Sequence, residues 1–402
     1  MITKKLQDIT LNITDGKHGD CENENNSGFY FISCKDVHDG TIHYDGARQI
    51  TEKDFIEAHR RTMLEPNDIL VTNSGTIGRM ALVKENDYTY RTTFQKSVAI
   101  VKPDQEVIRP AYLYYCLLNC VNQFVNQSNG SAQKNLLLGT MRNFAIEYEE
   151  DFSKQDKIID VLQSYDKIIE NHQKQIKLLE EAAQRLYKEW FVDLHFPGYE
   201  DVKIVDGVPE GWLYKRVEEF GDVITGKTPS TSKTEYYGGN IPFVTIPDMH
   251  GNVFPLITEK TLTKAGAETQ KNKYLPANAV IVSCIATVGL VNIAIEPCQT
   301  NQQINSVILY DDNDLYFFYE SMKRIKALLD GVGSNGATMT NVNKTKFSNI
   351  KVLYPTEDLV MKYNEFCKPI FDKILALSKA MLISGQARDR LLPKLMSGEI
   401  EV

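Results

Sequence analysis

The chain has 402 residues, 42% of them hydrophobic and 24% charged, which is typical of a globular protein with about two to four domains. Its formal net charge of -8 argues against a protein that coats nucleic acid non-specifically, although it is compatible with a sequence reader that has locally basic loops. No apolar run reaches the roughly 18 residues of a membrane helix and no signal-peptide pattern follows Met1, so we expect a cytoplasmic protein.

Residues 1–150 are predicted to form a β-rich domain, because short apolar runs alternate with Gly, Asn and Pro. Residues 68–72 (DILVT) and 96–101 (KSVAIV) are runs of this kind. Residues 111–118 (AYLYYCLL) predict a helical insertion before a Gly-rich loop. Residues 143–146 (NFAI) predict the last strand of this domain.

Residues 151–195 change to a heptad spacing, which predicts a long coiled-coil helix. Apolar residues recur four and three positions apart from Ile158 to Trp190, a distance of roughly 50 Å in a helix. His172 falls on this apolar seam, and we expect one of its ring nitrogens to be hydrogen-bonded rather than bound to a metal. Residues 196–212, which contain Gly and Pro, are predicted to be a linker.

The second half of the chain repeats the first. Residues 31–37 (FISCKDV) return as residues 243–249 (FVTIPDM), and residues 130–136 return as residues 336–342. The copies share their apolar skeleton and differ in polar detail, as expected of one scaffold that presents two different binding surfaces. Residues 213–355 are therefore predicted to be a second β-rich domain.

Residues 356–402 keep the heptad register of the first helix, although Ser384, Gly385 and Arg388 interrupt the seam, so we expect looser packing or a bend near Gly385. Each helix has an apolar stripe that must pack against another element, and the duplicate helix on the same chain provides such an element. We therefore predict an α+β fold with two duplicated β-rich domains in pseudo-two-fold symmetry, separated by two long helices packed as an antiparallel coiled coil. The predicted seam residues are Ile158, Leu162, Tyr165, Ile169, Ile176, Leu179, Leu186, Ile370, Ile374, Leu377, Met381, Leu391 and Leu395.

Two motif matches have the wrong sequence context for nucleotide binding. Residues 221–228 (GDVITGKT) match the phosphate-loop pattern, but Pro229 follows where the loop needs a helix N-terminus. A P-loop NTPase is kept only as the alternative function. Residues 331–336 (GVGSNG) match the dinucleotide pattern but follow an apparent helix, so we predict a flexible loop. We predict no catalytic residue, no cofactor and no metal site in this chain.

Four segments resemble those of a known family: residues 209–212 (PEGW), 225–230 (TGKTPS), 301–305 (NQQIN) and 390–398 (RLLPKLMSG). With the order of a β-rich domain, a heptad helix, and both again, they resemble the specificity subunit of type I restriction-modification systems. The resemblance covers essentially the whole chain. The first copy departs from the pattern, since residues 94–97 (FQKS) stand in place of Asn-Gln-Gln-Ile.

The resemblance implies a DNA reader without catalytic activity of its own. Each β-rich domain would be a target recognition domain for one half of a split, asymmetric DNA site, and the helix pair would fix the unread spacer. Members of the family assemble with two modification subunits that methylate adenine N6 and with restriction subunits. The implied partners are therefore double-stranded DNA and these subunits, with no membrane, and S-adenosylmethionine, ATP and Mg are expected on the partner subunits.

Candidate DNA-binding residues are loop side chains that can donate or accept hydrogen bonds at base edges. Each of them can instead bond its own backbone or be solvated. Two copies in pseudo-two-fold symmetry suit two half-sites about one duplex turn apart. The candidates are Lys17, His18, Asn73, Ser74, Gln133, Lys134 and Asn135 in the first copy and Lys227, Thr228, Ser230, Lys233, Asn335, Thr338, Thr340 and Asn341 in the second.

Overall fold

The computed structural model describes residues 1–128, 135–325, 327 and 341–402. By its internal contacts the chain divides into unit 1, residues 1–167 with 384–402, and unit 2, residues 168–383. None of the helices in these described ranges is long and apolar enough to cross a membrane.

The strands of unit 1 are short and rich in β-branched and aromatic residues. They are β1 (Ile2–Lys5), β2 (Thr10–Asp15), β3 (Tyr30–Ile32), β4 (Val37–His38), β5 (Thr41–Ile42), β6 (Ile69–Thr72), β7 (Met80–Leu82), β8 (Thr92–Phe94), β9 (Val98–Pro103) and β10 (Ala145–Tyr148). An antiparallel sheet has the order β2-β9-β6-β7. β3 pairs with β8 in parallel, β4 and β5 form a hairpin, and β1 pairs with β10.

The central strand β6 shows why this sheet lies inside unit 1. Successive side chains of a strand point to opposite faces. Ile69 and Val71 accordingly enter one apolar cluster with Tyr112, while Leu70 enters another with Phe94. All three β6 side chains are fully buried. The polar groups that could meet a ligand are therefore concentrated at the strand ends and in the loops.

Helices cover the sheet of unit 1. α2 begins at a proline, which favours the first helical position because it lacks an N–H, and its bounds confirm the predicted helical insertion. The Thr51 hydroxyl accepts a hydrogen bond from the Asp54 N–H and so caps α1. The helices are α1 (Glu52–Thr62), α2 (Pro110–Asn119), α3 (Val121–Asn126), α4 (Leu138–Arg142) and α5 (Phe152–Phe191), which continues into unit 2 beyond residue 167.

Unit 2 repeats the four-stranded sheet and two of the strand pairs of unit 1, as the sequence duplication predicted. Its strands are β11 (Ile204–Val205), β12 (Val208–Pro209), β13 (Leu213–Arg216), β14 (Gly221–Thr225), β15 (Tyr237–Val244), β16 (Lys260–Leu262), β17 (Val280–Ser283), β18 (Val291–Ile293), β19 (Gln299–Thr300), β20 (Ile304–Leu309) and β21 (Lys351–Tyr354). The sheet order β14-β20-β17-β18 corresponds to β2-β9-β6-β7. The parallel pair β15–β19 corresponds to β3–β8, and β13–β21 to β1–β10. The β11–β12 hairpin lies within the predicted linker.

The helices of unit 2 are α6 (Val217–Phe220), α7 (Ile246–Met249), α8 (Lys264–Glu268), α9 (Leu315–Lys323), α10 (Lys344–Ser348) and α11 (Glu357–Met396), whose last turns belong to unit 1. α11 is an unbroken helix through Gly385, where a bend was expected, and through Pro369 and Pro393. Each proline removes one backbone N–H donor, so side-chain packing must compensate. The Gly-rich segment 331–336 lies outside the described residues.

In unit 1 the start of α5 and the end of α11 share one apolar cluster. Ile158 and Leu162 of α5 belong to it together with Leu395 of α11. Arg388, which interrupts the seam, donates to Asp166 Oδ1 over 2.7 Å. The Tyr115 hydroxyl donates to the other oxygen of Asp166. The charged residue on the seam is therefore neutralised by an acid on α5.

In unit 2 the end of α5 and the start of α11 also share a cluster, formed by Ala183, Trp190 and Tyr363 among others. The Tyr363 hydroxyl donates to the Ala183 carbonyl oxygen over 3.2 Å. The Nδ1 of His172 is buried without a hydrogen-bond partner among the described residues, which leaves Nε2 as the ring nitrogen for the expected hydrogen bond. The predicted seam residues Ile158, Leu162, Ile374, Leu377 and Leu395 are buried, and the other eight are half-buried.

Candidate nucleic-acid interface

Lys17 and His18 lie in a turn directly after β2 that is fixed against the loop between β8 and β9. The Lys17 N–H donates to the Phe94 carbonyl over 2.8 Å, and the Lys96 N–H donates to the Lys17 carbonyl over 3.2 Å. A Cβ atom at Gly16 would lie 2.1 Å from the Phe94 oxygen, so only glycine allows this close approach. The turn and the loop therefore form one backbone-linked structure.

The end of β6 is hydrogen-bonded to the same turn-and-loop structure. The Asn73 N–H donates to the Ser97 carbonyl over 3.0 Å, and the Asn73 carbonyl accepts from the Leu136 N–H over 2.8 Å. Ser74 and Asn135 form an antiparallel bridge. We call residues 16–19, 73–75, 95–97 and 135 loop surface 1. It brings together the five described candidates of the first copy, whereas Gln133 and Lys134 lie outside the described residues.

The charges on loop surface 1 are partly paired. Lys17 Nζ lies 3.2 Å from Glu57 Oε1. Burial lowers the pKa of Lys17, but the hydrogen bond to Glu57 and the charges of Cys21, Glu57 and Asp54 together outweigh it and raise the pKa above its ordinary value. His18 Nε2 lies 2.9 Å from the buried Asp15 carboxylate. Asn73 is buried and its Oδ1 has no partner within the described part of the chain, so Asn73 shapes the surface mainly through its backbone.

Lys227 and Thr228 occupy the same place in unit 2, directly after β14. The Lys227 N–H donates to the Thr300 carbonyl over 2.9 Å. A Cβ atom at Gly226 would lie 2.2 Å from the Asn301 oxygen, so this turn has the same glycine requirement. The Thr228 hydroxyl donates to Gln302 Oε1 over 2.6 Å. This bond leaves the amide nitrogen of Gln302 as its donor group for a ligand.

The end of β17 completes the equivalent surface. The Cys284 N–H donates to the Gln303 carbonyl over 2.9 Å, and the Cys284 carbonyl accepts from the Val342 N–H over 2.8 Å. Ile285 and Asn341 form an antiparallel bridge. Burial raises the pKa of the Cys284 thiol to about 11, so this cysteine is a neutral structural residue. We call residues 226–228, 284–286, 301–303 and 341 loop surface 2.

The remaining candidates of the second copy are not linked to loop surface 2 in this way. Ser230 Oγ lies 2.9 Å from Ser232 Oγ, and Lys233 Nζ donates to the Tyr236 hydroxyl over 3.1 Å, both on the exposed segment after Thr228. The bond to Tyr236 raises the pKa of Lys233. Asn335, Thr338 and Thr340 lie outside the described residues.

The structure adds side chains that the candidate set omitted, at the centre of each surface: Gln95 and Lys96 in unit 1 and Gln302 and Gln303 in unit 2. It also corrects the correspondence between the copies. Because the Gln95 N–H donates to Ile32 and the Asn301 N–H to Val244, Gln95 and not Phe94 corresponds to Asn301. The sequence contained a signal for this register, because Ile32 and Val244 occupy the same position in the repeated segments 31–37 and 243–249.

The phosphate-loop interpretation does not fit the structure. Gly221–Thr225, which would form the loop, is strand β14. Thr228 is followed by an irregular segment with a turn and then by a short 3-10 helix at Thr234–Tyr236. A phosphate loop leads directly into a helix whose N-terminus faces the phosphates. Lys227 and Thr228 therefore belong to a surface turn.

Comparisons with known proteins agree with this duplicated architecture. A family model described as the type I restriction modification DNA specificity domain matches residues 3–181 and 209–358. The chain is 29% identical to the type I restriction enzyme HindI specificity subunit of Haemophilus influenzae, over 88% of this chain and 90% of the relative. It is 27% identical to the MjaIX specificity subunit of Methanocaldococcus jannaschii, over 89% and 83%. The fold is similar to the crystal structure of an S subunit from M. genitalium, with a TM-score of 0.56, 14% identity and coverage of 98% and 96%.

Proposed function

This chain belongs to the family of type I restriction-modification DNA specificity subunits, and from that premise we propose that each unit reads one half of a split DNA site. The supporting observation is that the same set of loops gathers at the same sheet end in both units, held by equivalent backbone hydrogen bonds. Exposed Lys and half-exposed Gln side chains on these loops, such as Lys96, Gln95 and Gln303, are of the types that donate to and accept from base edges.

The two half-sites differ in sequence because corresponding positions of the two surfaces differ in chemistry. Gln95, Lys96 and Ser97 of loop surface 1 correspond to Asn301, Gln302 and Gln303 of loop surface 2. An ammonium group in one copy is thus replaced by an amide in the other. A lysine favours the acceptors of guanine, whereas a glutamine amide pairs with adenine. The recognised site is therefore asymmetric.

The two long helices form an antiparallel coiled coil that separates the recognition domains, residues 1–150 and 213–355, by a fixed distance. Contacts within each unit support this. Asp166 on α5 pairs with Arg388 on α11 in unit 1, and Ala183 pairs with Tyr363 in unit 2. In unit 1 the start of α5 packs with the end of α11, and in unit 2 the end of α5 packs with the start of α11, as antiparallel helices require. Residues 151–195 and 356–402 provide the helices, and residues 196–212 the linker.

The catalytic steps belong to partner subunits in this proposal. The chain binds double-stranded DNA in the cytoplasm and directs two modification subunits, which bind S-adenosylmethionine and methylate adenine N6. Restriction subunits that use ATP and Mg join the complete complex. The support is the family membership together with the duplicated loop surfaces, each suited to base recognition.

The test is to map methylated adenines by single-molecule sequencing in a host that expresses this chain with its modification subunit. We expect N6-methyladenine in one split, asymmetric motif with a fixed spacer. The matched control expresses the modification subunit alone and should lack that motif. A continuous or palindromic motif, or the same methylation without this chain, would contradict the proposal.

The coiled coil makes a separate prediction about spacer length. Inserting one heptad after His172 and one after Met381 lengthens both helices by about 10 Å while preserving the apolar register. We expect the unread spacer to grow by about three base pairs, because B-DNA rises about 3.4 Å per base pair. Methylation mapping gives the readout. If the half-site bases change while the spacer stays constant, the helices do not set the spacing.

A further inference from the structure

The β4–β5 hairpin of unit 1 contains three side chains able to bind a metal ion, which the sequence analysis did not predict. His38, Asp39 and His43 form the one group of three His, Cys, Asp or Glu in the described ranges whose ligand atoms all lie within 4.8 Å of one another. His38 Nδ1 lies 2.8 Å from Asp39 Oδ2, and His43 Nε2 lies 4.0 Å from the same oxygen. Three possible ligand atoms thus lie close together.

The backbone of the hairpin produces this convergence. Asp39 and Gly40 have φ angles of 52° and 74°, the left-handed conformation of a tight two-residue hairpin turn. His38 and Thr41 are paired across the hairpin. Beyond β5, the His43 N–H donates to the Asp36 carbonyl over 2.8 Å. The two imidazole rings consequently stack, with centroids 3.6 Å apart and planes inclined by 11°.

One ring nitrogen of this group is buried without a hydrogen bond. His43 Nε2 is unpaired among the described residues, although buried polar atoms in folded proteins nearly always have a hydrogen-bond partner. The Asp39 carboxylate oxygen lies 4.0 Å from this nitrogen, which is beyond hydrogen-bond distance. A cation between these two groups would satisfy the nitrogen and neutralise the carboxylate together.

We propose that His38, Asp39 and His43 bind a divalent transition-metal ion of the Zn²⁺ class. Two imidazoles and one carboxylate match the ligand preference of Zn²⁺, with a fourth position left for water. Ligand atoms around tetrahedral Zn²⁺ lie about 3.3 Å apart. A metal ion lies in the plane of each imidazole that binds it, so binding requires the two stacked rings to rotate apart about their side-chain bonds. Ca²⁺ and Mg²⁺ prefer oxygen ligands and do not fit.

The metal ion would stabilise the β4–β5 hairpin, which lies next to loop surface 1. The hairpin follows the 3-10 turn at Cys34–Asp36, in which the Cys34 N–H donates to the Ser97 hydroxyl over 3.1 Å. The repeated sequence provides a comparison in unit 2. There, residues 248–250 (DMH) correspond to residues 36–38 (DVH), but no histidine follows in the next ten residues. The site is therefore specific to unit 1, and it does not depend on the proposed DNA recognition.

The test measures binding of Zn²⁺ alone to the metal-free full-length chain by isothermal titration calorimetry at pH 7.5. We expect one bound ion per chain. His43→Ala should weaken binding by more than about tenfold, since disturbing even a supporting residue of a metal site costs about 10–100-fold. Asp39→Asn tests the carboxylate with little change of shape, and asparagine accepts the left-handed conformation. His250→Ala is the matched control and should bind Zn²⁺ like the unmodified chain.

Co²⁺ distinguishes these ligands from the cysteines of the chain. Co²⁺ bound to nitrogen and oxygen ligands should show visible bands without an intense near-ultraviolet thiolate band. Circular dichroism verifies that each variant is folded. The proposal would be overturned by a lack of stoichiometric Zn²⁺ binding, by His43→Ala and Asp39→Asn both binding Zn²⁺ as tightly as the unmodified chain, or by a thiolate band.

Discussion

Replacing Lys227 and Gln302 by Ala is expected to relax recognition of one DNA half-site and to leave the other half-site unchanged. Both side chains are exposed on loop surface 2, so their removal should not disturb the apolar core. Removing a side chain that bonds well to a base edge costs about 1–3 kcal/mol, or about 5–150-fold in discrimination between bases. The readout is the set of adenines methylated by the complex of the variant chain with the modification subunit.

The reciprocal variant replaces Gln95 and Lys96 on loop surface 1 by Ala. It should relax recognition of only the other half-site. Lys362→Ala removes an exposed lysine of α11 in unit 2, outside loop surface 2 and outside the candidate residues, and serves as the matched control, with both half-sites expected to stay intact. If either double variant relaxes both half-sites, the two units do not read DNA independently. If neither double variant changes the motif, the bases are read elsewhere on the chain.

Tyr363→Ala is expected to lower the free energy of unfolding of unit 2 by about 3–5 kcal/mol, the range for removing a large aromatic side chain from a core. Tyr363 is fully buried. Its ring lies 5.1 Å from that of Phe191 and 6.0 Å from that of Trp190, between centroids. The variant leaves a cavity between α5 and α11 and leaves the Ala183 carbonyl without its donor.

Two variants separate the contribution of the Tyr363 hydroxyl from that of its buried ring. Tyr363→Phe removes only the hydroxyl and should cost about 1 kcal/mol, the usual net value of one hydrogen bond. Phe366→Ala truncates an aromatic residue on the same helix that is 59% exposed, so its cost should stay below about 1 kcal/mol. Urea unfolding followed by circular dichroism provides the free energies. Equal destabilisation by Tyr363→Ala and Phe366→Ala would show that the Tyr363 cluster does not stabilise unit 2.

Local sequence patterns were sufficient for the secondary structure and the duplication. The short apolar run in residues 68–72 and the heptad period from Ile158 onward depend only on neighbouring residues, and β6 and α5 confirmed the predicted strand and the predicted long helix. The repeat of residues 31–37 at 243–249 predicted equal topology, because equal apolar patterns bury equal faces. The family resemblance also followed from short segments such as residues 301–305. The sequence alone therefore determined the architecture and the class of protein.

Only the tertiary structure decided which polar residues form a surface. Loop surface 1 depends on hydrogen bonds such as Lys17 to Phe94 and Asn73 to Leu136, which join residues far apart in the chain. No local pattern encodes these distances, so Gln95 and Lys96 were omitted and the register opposite Asn301 was off by one residue. The approach of His43 to Asp39 likewise requires the left-handed turn at Asp39 and Gly40. Periodicity determines which face of an element is buried, whereas the chain's long-range pairing determines which loops meet.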